Sequence, residues 1–356
     1  MRHLIDPTDL SKEETIQIIE TAEDIIANRA KYSTVCQGKK LATLFYEPST
    51  RTRLSFNAAM LELGGTVLGF DDAASSSVSK GETVADTTRV LECFADIIAM
   101  RHYKEGAPLV ASQYVKIPVI NAGDGSHAHP TQTLTDLLTI KRELGRLDEL
   151  TVGFCGDLKY GRTVHSLIKA LARFTSIKVI LIAPDELKLP SYVYKEVSSS
   201  QIEFSEVATL EDAMPQLDVL YMTRVQGERF ADKAEYERLK DSFILSPDKL
   251  TEAKSDMVIL HPLPRVNEIT RSVDADPRAA YFRQVENGKF VRMSLIYTLL
   301  QWNEGLIPAT TPHFEPGIEI DKHICHNPAC ISASEDVERL SKRASDGALH
   351  CAYCDK

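Results

Sequence analysis

The sequence predicts an α/β protein with two domains built on doubly wound parallel sheets, joined by two crossing helices, and a small four-cysteine tail. Three observations carry this reading. Short apolar runs of strand length alternate with helical patterns twice along the chain, as parallel sheets covered by helices on both faces require. At 356 residues the chain has room for about two domains with cores of their own and an appendage. Four of the seven cysteines crowd into the end of the chain.

The first strand is expected over residues 41–46, where an apolar run ends at Glu47-Pro48. Ser49-Thr50-Arg51-Thr52-Arg53 follows, and Leu54, Ala58 and Leu61 recur at helical spacing until Gly64-Gly65 stops the helix. Further strands are expected over residues 66–70, 97–100 and 117–121. Pro130 suits the first position of a helix running through Leu134, Leu137, Leu138 and Leu144 to Gly145, and this helix crosses between the domains. The second set of strands is expected over residues 150–155, 177–183, 217–222 and 257–260. Residues 292–302 read as an apolar helix, after which Pro308, Pro312 and Pro316 mark a linker. The expected organisation is residues 1–130 with 286–305, residues 131–285, a linker over 306–320 and a tail over 321–356.

Hydrophobic residues at 43% and charged residues at 26% are ordinary for a globular domain. A formal net charge of −10 argues against a nucleic-acid partner, which demands a basic face, but leaves room for a local arginine cluster that binds small anions. No apolar stretch approaches the roughly 20 residues that span a bilayer, and Met1-Arg2-His3-Leu4-Ile5-Asp6-Pro7 lacks a signal-peptide core, so no membrane association and a cytoplasmic location are expected.

Open α/β sheets place function in loops beyond the carboxyl ends of their strands. Ser49-Thr50-Arg51-Thr52-Arg53 is the first of them, and five more carry Arg, His or Gln: Arg101-His102, the stretch from Asn121 to Gln132, Gly156-Asp157-Leu158-Lys159-Tyr160-Gly161-Arg162-Thr163, Thr223-Arg224-Val225-Gln226, and His261-Pro262-Leu263-Pro264-Arg265. The first sits at a strand-to-helix junction, where unpaired N–H groups and the helix dipole favour an anion and guanidinium groups add bidentate bonds. A Ser/Thr-capped helix with solvated arginines would show the same five residues, so the other loops decide. Dinucleotide binding fits poorly, because Gly153, Gly156 and Gly161 are not spaced as G-x-G-x-x-G.

Cys325, Cys330, Cys351 and Cys354 form Cys-x4-Cys and Cys-x2-Cys pairs, the spacing of a tetrahedral thiolate site for zinc, with two disulfides as the alternative. His323, His326 and His350 stand nearby as substitute ligands. Cys36, Cys93 and Cys155 are scattered and read as small buried hydrophobes.

Over about residues 1–305 these motifs resemble the catalytic chain of the aspartate carbamoyltransferase family. The resemblance rests on Phe45-Tyr46-Glu47-Pro48-Ser49-Thr50-Arg51-Thr52-Arg53, Lys80-Gly81-Glu82-Thr83, Met100-Arg101-His102, His129-Pro130-Thr131-Gln132, Gly156-Asp157-Leu158-Lys159-Tyr160-Gly161-Arg162 and His261-Pro262-Leu263-Pro264-Arg265. It implies transfer of a carbamoyl group from carbamoyl phosphate to L-aspartate, an early step of pyrimidine synthesis, without a covalent enzyme intermediate. The first domain would then bind carbamoyl phosphate and the second aspartate, and closing one on the other would complete the site.

By that resemblance Ser49, Thr50, Arg51 and Thr52 hold the phosphate, while Arg101, His129 and Gln132 surround the carbamoyl end. Arg162 and Arg224 with Gln226 take the aspartate carboxylates, and the carbonyls of Pro262 and Leu263 orient the attacking amine. Ser76 and Lys80 reach the neighbouring chain's ligand, which makes a homotrimer with shared sites the smallest active unit, open to higher assembly and to a dihydroorotase or regulatory-chain partner. Arg53 is expected to be structural, paired with Glu47, and Asp124, His127 and Arg265 are neighbours of the site.

The tail is similar to the zinc domain of the family's separate regulatory chain, here fused without the nucleotide-binding domain that precedes it there. It implies a structural zinc, and no cofactor for the reaction itself. The rivals are an ornithine-type carbamoyltransferase, whose acceptor loops would want carboxylates and a cysteine, and a catalytically silent scaffold of a pyrimidine-pathway complex.

Overall fold

The computed structural model describes residues 1–70, 77–197, 199–227, 230, 232–306, 318–320, 324–343 and 347–356. They form two compact units, Met1–Leu134 with Gly288–Lys356, and Thr135–Asn287. The chain leaves the first unit within helix Pro130–Leu144 and re-enters it within helix Tyr281–Asn303.

The first unit holds a parallel sheet of β1 (Lys40–Phe45), β2 (Thr66–Phe70), β3 (Ile97–His102) and β4 (Val119–Asp124) in the order β2-β1-β3-β4. The inner strands are buried nearly throughout, as a sheet covered on both faces demands. Register pairs Phe45 with Arg101 and Met100 with Asn121, so the carboxyl ends of β1, β3 and β4 lie side by side. Helix Lys12–Ala27, which the apolar runs alone do not reveal, starts at a capping box of Ser11 and Glu14. The helix after β1 spans Thr50–Glu62 and buries Thr52, Phe56, Ala59 and Met60, whereas Leu54 and Leu61 of the expected apolar stripe are 58% and 59% exposed.

The second unit carries a five-stranded parallel sheet in the order β7-β6-β5-β8-β9, formed by β5 (Thr151–Cys155), β6 (Lys178–Ile182), β7 (Glu203–Val207), β8 (Val219–Met222) and β9 (Val258–Leu260). The sequence signals four of these. β7 escapes it because an edge strand reading Glu-Phe-Ser-Glu-Val keeps one face wet and lacks an apolar run. The apolar helix expected over residues 292–302 extends back to Tyr281, across Glu286-Asn287-Gly288.

The tail does not stand apart. β10 (Ile318–Ile320), inside the expected linker, pairs antiparallel with β11 (Leu340–Arg343), which pairs with β12 (Leu349–Cys351). Ile331, Tyr353 and the buried cysteines join one core cluster with Ile98, Ala107, Val110 and Ala111 of the first unit. Fully burying side chains such as Ile331 contributes about 1.5–3 kcal/mol each, so a tail this small borrows its core from the domain beside it.

Candidate active site and metal centre

Ser49 precedes helix Thr50–Glu62 with φ −156° and ψ 89°, and its side chain makes no capping hydrogen bond. The capped-helix alternative therefore loses its cap. The helix's first backbone bond is Arg53 N–H to Ser49 C=O at 3.1 Å, so the preceding N–H groups of the turn have no intrahelical partner, the arrangement that suits a phosphate. Thr52 is buried at the foot of this turn, while Thr50 and Arg51 are exposed.

Arg101 is brought alongside by strand pairing: Tyr46 N–H donates to the Arg101 carbonyl at 2.8 Å, and Arg101 Nη2 lies 2.9 Å from Glu47 Oε2. Glu47, expected to pair with Arg53, orients Arg101. His129, 5% exposed, ends the loop after β4, and the Thr131 hydroxyl stands 3.5 Å from its Nδ1. Gln132 follows half-buried on the first turn of the next helix. Lys80 ends the turn Ser77–Lys80 and is exposed, and Ser76 lies outside the described residues.

Sequence reasoning missed Arg292. It is 4% exposed and donates to Ser55 Oγ at 3.1 Å, Gly288 C=O at 2.9 Å and Thr131 Oγ1 at 3.3 Å. One guanidinium thereby ties helix Thr50–Glu62 to the segment carrying His129. An arginine inside an apolar helical run was the signal available.

In the second unit Arg162, Arg224 and Gln226 are all half-buried. Buried Asp157 holds the Tyr160 and Gln226 loops together: its carboxylate accepts from Tyr160 N–H at 2.9 Å and Gln226 N–H at 3.2 Å, and Gln226 Nε2 donates to Tyr160 C=O at 2.9 Å. Burial raises the Asp157 carboxyl above its ordinary range, opposed by these donors.

His261 Nδ1 accepts Leu263 N–H at 2.8 Å, so Nε2 carries the proton that it gives to Glu268 at 2.7 Å. Burial lowers this imidazole's pKa and keeps it neutral despite Glu268. Leu263, at φ 52°, is held in the left-handed region by that bond, which fixes the direction of its carbonyl. Arg265 is committed to Asp274, with Nη2 2.6 Å from Oδ2, and belongs to the scaffold. A cavity of ≈ 530 Å³ in this unit, lined by Leu158, Lys188, Glu206 and Phe243 among others, contains none of the expected site residues.

The sulfurs of Cys325, Cys330, Cys351 and Cys354 lie within 4.8 Å of one another, with Cys325–Cys354 at 3.5 Å and Cys330–Cys351 at 3.8 Å. A disulfide needs about 2.05 Å. Four thiolates about 2.3 Å from one ion stand roughly 3.8 Å apart, so the cluster fits a tetrahedral metal. His326 is exposed, His350 half-buried, and His323 lies outside the described residues.

Two family models cover most of the chain: "Aspartate/ornithine carbamoyltransferase, carbamoyl-P binding domain" matches residues 2–142, and "Aspartate/ornithine carbamoyltransferase, Asp/Orn binding domain" matches residues 148–299. The aspartate carbamoyltransferase catalytic subunit of Lachnoclostridium phytofermentans is 64% identical over 301 residues, 84% of this chain and 98% of that one. The chain belongs to the aspartate carbamoyltransferase family. The catalytic subunit of Clostridium acetobutylicum is 61% identical over 300 residues, again 84% of this chain and 98% of the relative. Among solved structures, the catalytic subunit of M. jannaschii aspartate transcarbamoylase has TM-score 0.79 and 48% identity, covering 86% of this chain and 100% of that one. The Trypanosoma cruzi enzyme in complex with N-(phosphonacetyl)-L-aspartic acid has TM-score 0.79 and 40% identity, covering 83% and 95%.

The tail departs from those catalytic subunits. Residues 320–356 match "Aspartate carbamoyltransferase regulatory chain, metal binding domain". In this chain the module packs on the first unit. Glu105, with no exposure, accepts from Asn327 Nδ2 at 2.6 Å, Lys356 Nζ at 3.1 Å and Ser126 Oγ at 2.5 Å, while Glu105 and Ile331 exchange main-chain bonds with the opposite segments. His127 lies 2.9 Å from both Asp124 and Asp355. Burial pulls its pKa down, but the two carboxylates outweigh burial and hold it protonated well above 6.5. Among the described residues no helix is long and apolar enough to cross a membrane.

Proposed function

We propose that this chain transfers the carbamoyl group of carbamoyl phosphate to the amine of L-aspartate, giving N-carbamoyl-L-aspartate and phosphate for pyrimidine synthesis. The observation that carries it is the uncapped turn at Ser49, with Arg101 held beside it by Glu47 and strand pairing. Ser49, Thr50, Arg51 and Thr52 bind the phosphate through hydroxyls, backbone N–H groups and one guanidinium. Arg101, His129 and Thr52 donate to the carbonyl oxygen as charge grows there, and Gln132 binds the carbamoyl amide. Arg162, Arg224 and Gln226 take the aspartate carboxylates, and the carbonyls of Pro262 and Leu263 orient the amine. The departing phosphate accepts the amine proton, and rate comes from placement and electrostatics.

Lys80 serves a neighbouring chain in a homotrimer, in keeping with its exposed position. Mixing Arg51→Ala and Lys80→Ala chains then restores activity that neither parent has; mixed trimers without any regained activity would refute shared sites. Zinc fills the four-thiolate site as a structural ion, and elemental analysis of purified protein should find about one zinc per chain. Carbamoyl phosphate assayed with aspartate and with ornithine tests the whole reading: turnover with aspartate is expected, and turnover with ornithine alone, or with neither, overturns it.

A further inference from the structure

The loop over residues 121–132 carries His129 and Gln132, and the metal-binding tail is bonded to it directly. Asp124, without exposure, shapes the loop from within: its carboxylate accepts from Asn121 Nδ2 at 2.9 Å, Ala128 N–H at 3.1 Å and Gly106 N–H at 2.8 Å. Its own N–H donates to Ala128 C=O at 3.2 Å, which fixes the residue preceding His129.

The His127 ring connects this hub to the tail. Nδ1 lies 2.9 Å from Asp124 Oδ2, and Nε2 lies 2.9 Å from Asp355 Oδ2. Asp355 follows Cys354, donates its N–H to Cys351 C=O at 2.9 Å, and pairs through Oδ1 with Lys342 Nζ at 2.5 Å. A second arm runs beside the first, through Ser126 Oγ to Glu105 Oε1 at 2.5 Å and from Glu105 to Asn327 and Lys356 of the tail. A metal held by these thiolates would fix the turn between Cys351 and Cys354, and a carboxylate one residue on would inherit that geometry.

Resting on the reading that His129 and Gln132 hold the carbamoyl end of the substrate, we propose that His127 is a positioning residue through which the metal-loaded tail sets the placement of the 121–132 loop. The tail is then a built-in support for carbamoyl-phosphate binding in its own chain. Its short, charge-assisted bonds keep Ala128 and His129 in one conformation before substrate arrives.

The test uses the full-length, metal-loaded chain with His127→Ala, Asp355→Ala and Asp355→Asn. His127→Ala and Asp355→Ala should each raise KM for carbamoyl phosphate about tenfold while kcat changes less than about twofold, as displacement of a binding loop would do. The double variant should be no worse than either single one, and Asp355→Asn, which keeps an acceptor oxygen, should recover part of the loss. Hydrogen exchange at amides 121–132 should quicken in both alanine variants with metal content unchanged, and chelating the metal from the wild type should quicken the same amides. Unchanged exchange in that segment, in whichever variant folds, overturns the proposal. The exchange readout stands even if carbamoyl transfer is absent, so failure of the functional reading is distinguishable from failure of this one.

Discussion

Replacing Gly106 by alanine tests how the tail is seated. Gly106 opens helix Ala107–Tyr114 at φ +82°, and a Cβ added there would stand 2.4 Å from Tyr353 Cβ, 2.6 Å from its carbonyl oxygen and 2.8 Å from its Cα. Two costs follow. A left-handed backbone with a side chain costs roughly 1–2 kcal/mol. The clash adds about 1–3 kcal/mol, because no side-chain rotation moves a backbone oxygen or a Cα out of the way. Gly38 in the same unit has the same φ of +82° with nothing within 4 Å, so Gly38→Ala carries the first cost alone. Calorimetry of both variants should therefore place Gly106→Ala lower in Tm, by about 2–4 °C for each kcal/mol of the clash in a domain of this size. Gly106→Ala should also release its metal to a competing chelator faster than wild type, while Gly38→Ala should not. Equal Tm values with equal metal-release rates would refute the docking of Tyr353 on Gly106.

Arg101→Ala should lower kcat by about 10²–10³, the loss of one oxyanion donor, and Glu47→Gln should reproduce part of that in steady-state assays with stability unchanged. Arg292→Met should destabilise the chain by roughly 3 kcal/mol in urea titration, because Ser55 and Thr131 lose a buried charged donor. His102, whose Nδ1 accepts Lys104 N–H at 2.9 Å, has its pKa pushed down to about 4 by burial. The unfolded chain thus binds this proton first, so the contribution is full above about pH 6.5 and falls by roughly 3 kcal/mol on acidification to about pH 4. His102→Asn should flatten that part of the urea-stability profile against wild type, a comparison that removes Asp9 and His127, whose shifts run the other way.

Most strands were legible because a strand buried on both faces must be apolar throughout, a pattern that needs no knowledge of neighbours. β7 was not, since an edge strand satisfies its exposed face with glutamates and serine. The stripe of Leu54 and Leu61 misled for the complementary reason: periodicity reports an apolar face but not what covers it, and in this chain the helix buries Phe56 and Met60 instead. Arg51, Arg101, His129 and Arg162 could be named from their places at strand ends. Asp157 and Arg292 could not, because each acts through partners far away in sequence, Gln226 and Ser55 respectively.

The sequence by itself determined the two α/β domains, the candidate anion-binding turn, the chemistry of the candidate side chains and the four cysteines of the candidate metal site. Each is local, readable within a few residues from hydrophobic period, helix-end geometry or cysteine spacing. Only the tertiary structure decided that Glu47 orients Arg101, that Arg292 ties helix Thr50–Glu62 to the His129 segment, and that the tail belongs to the first domain's core. Those contacts join residues tens to hundreds of positions apart, and their energy comes from burial and paired charge, which the linear pattern does not record.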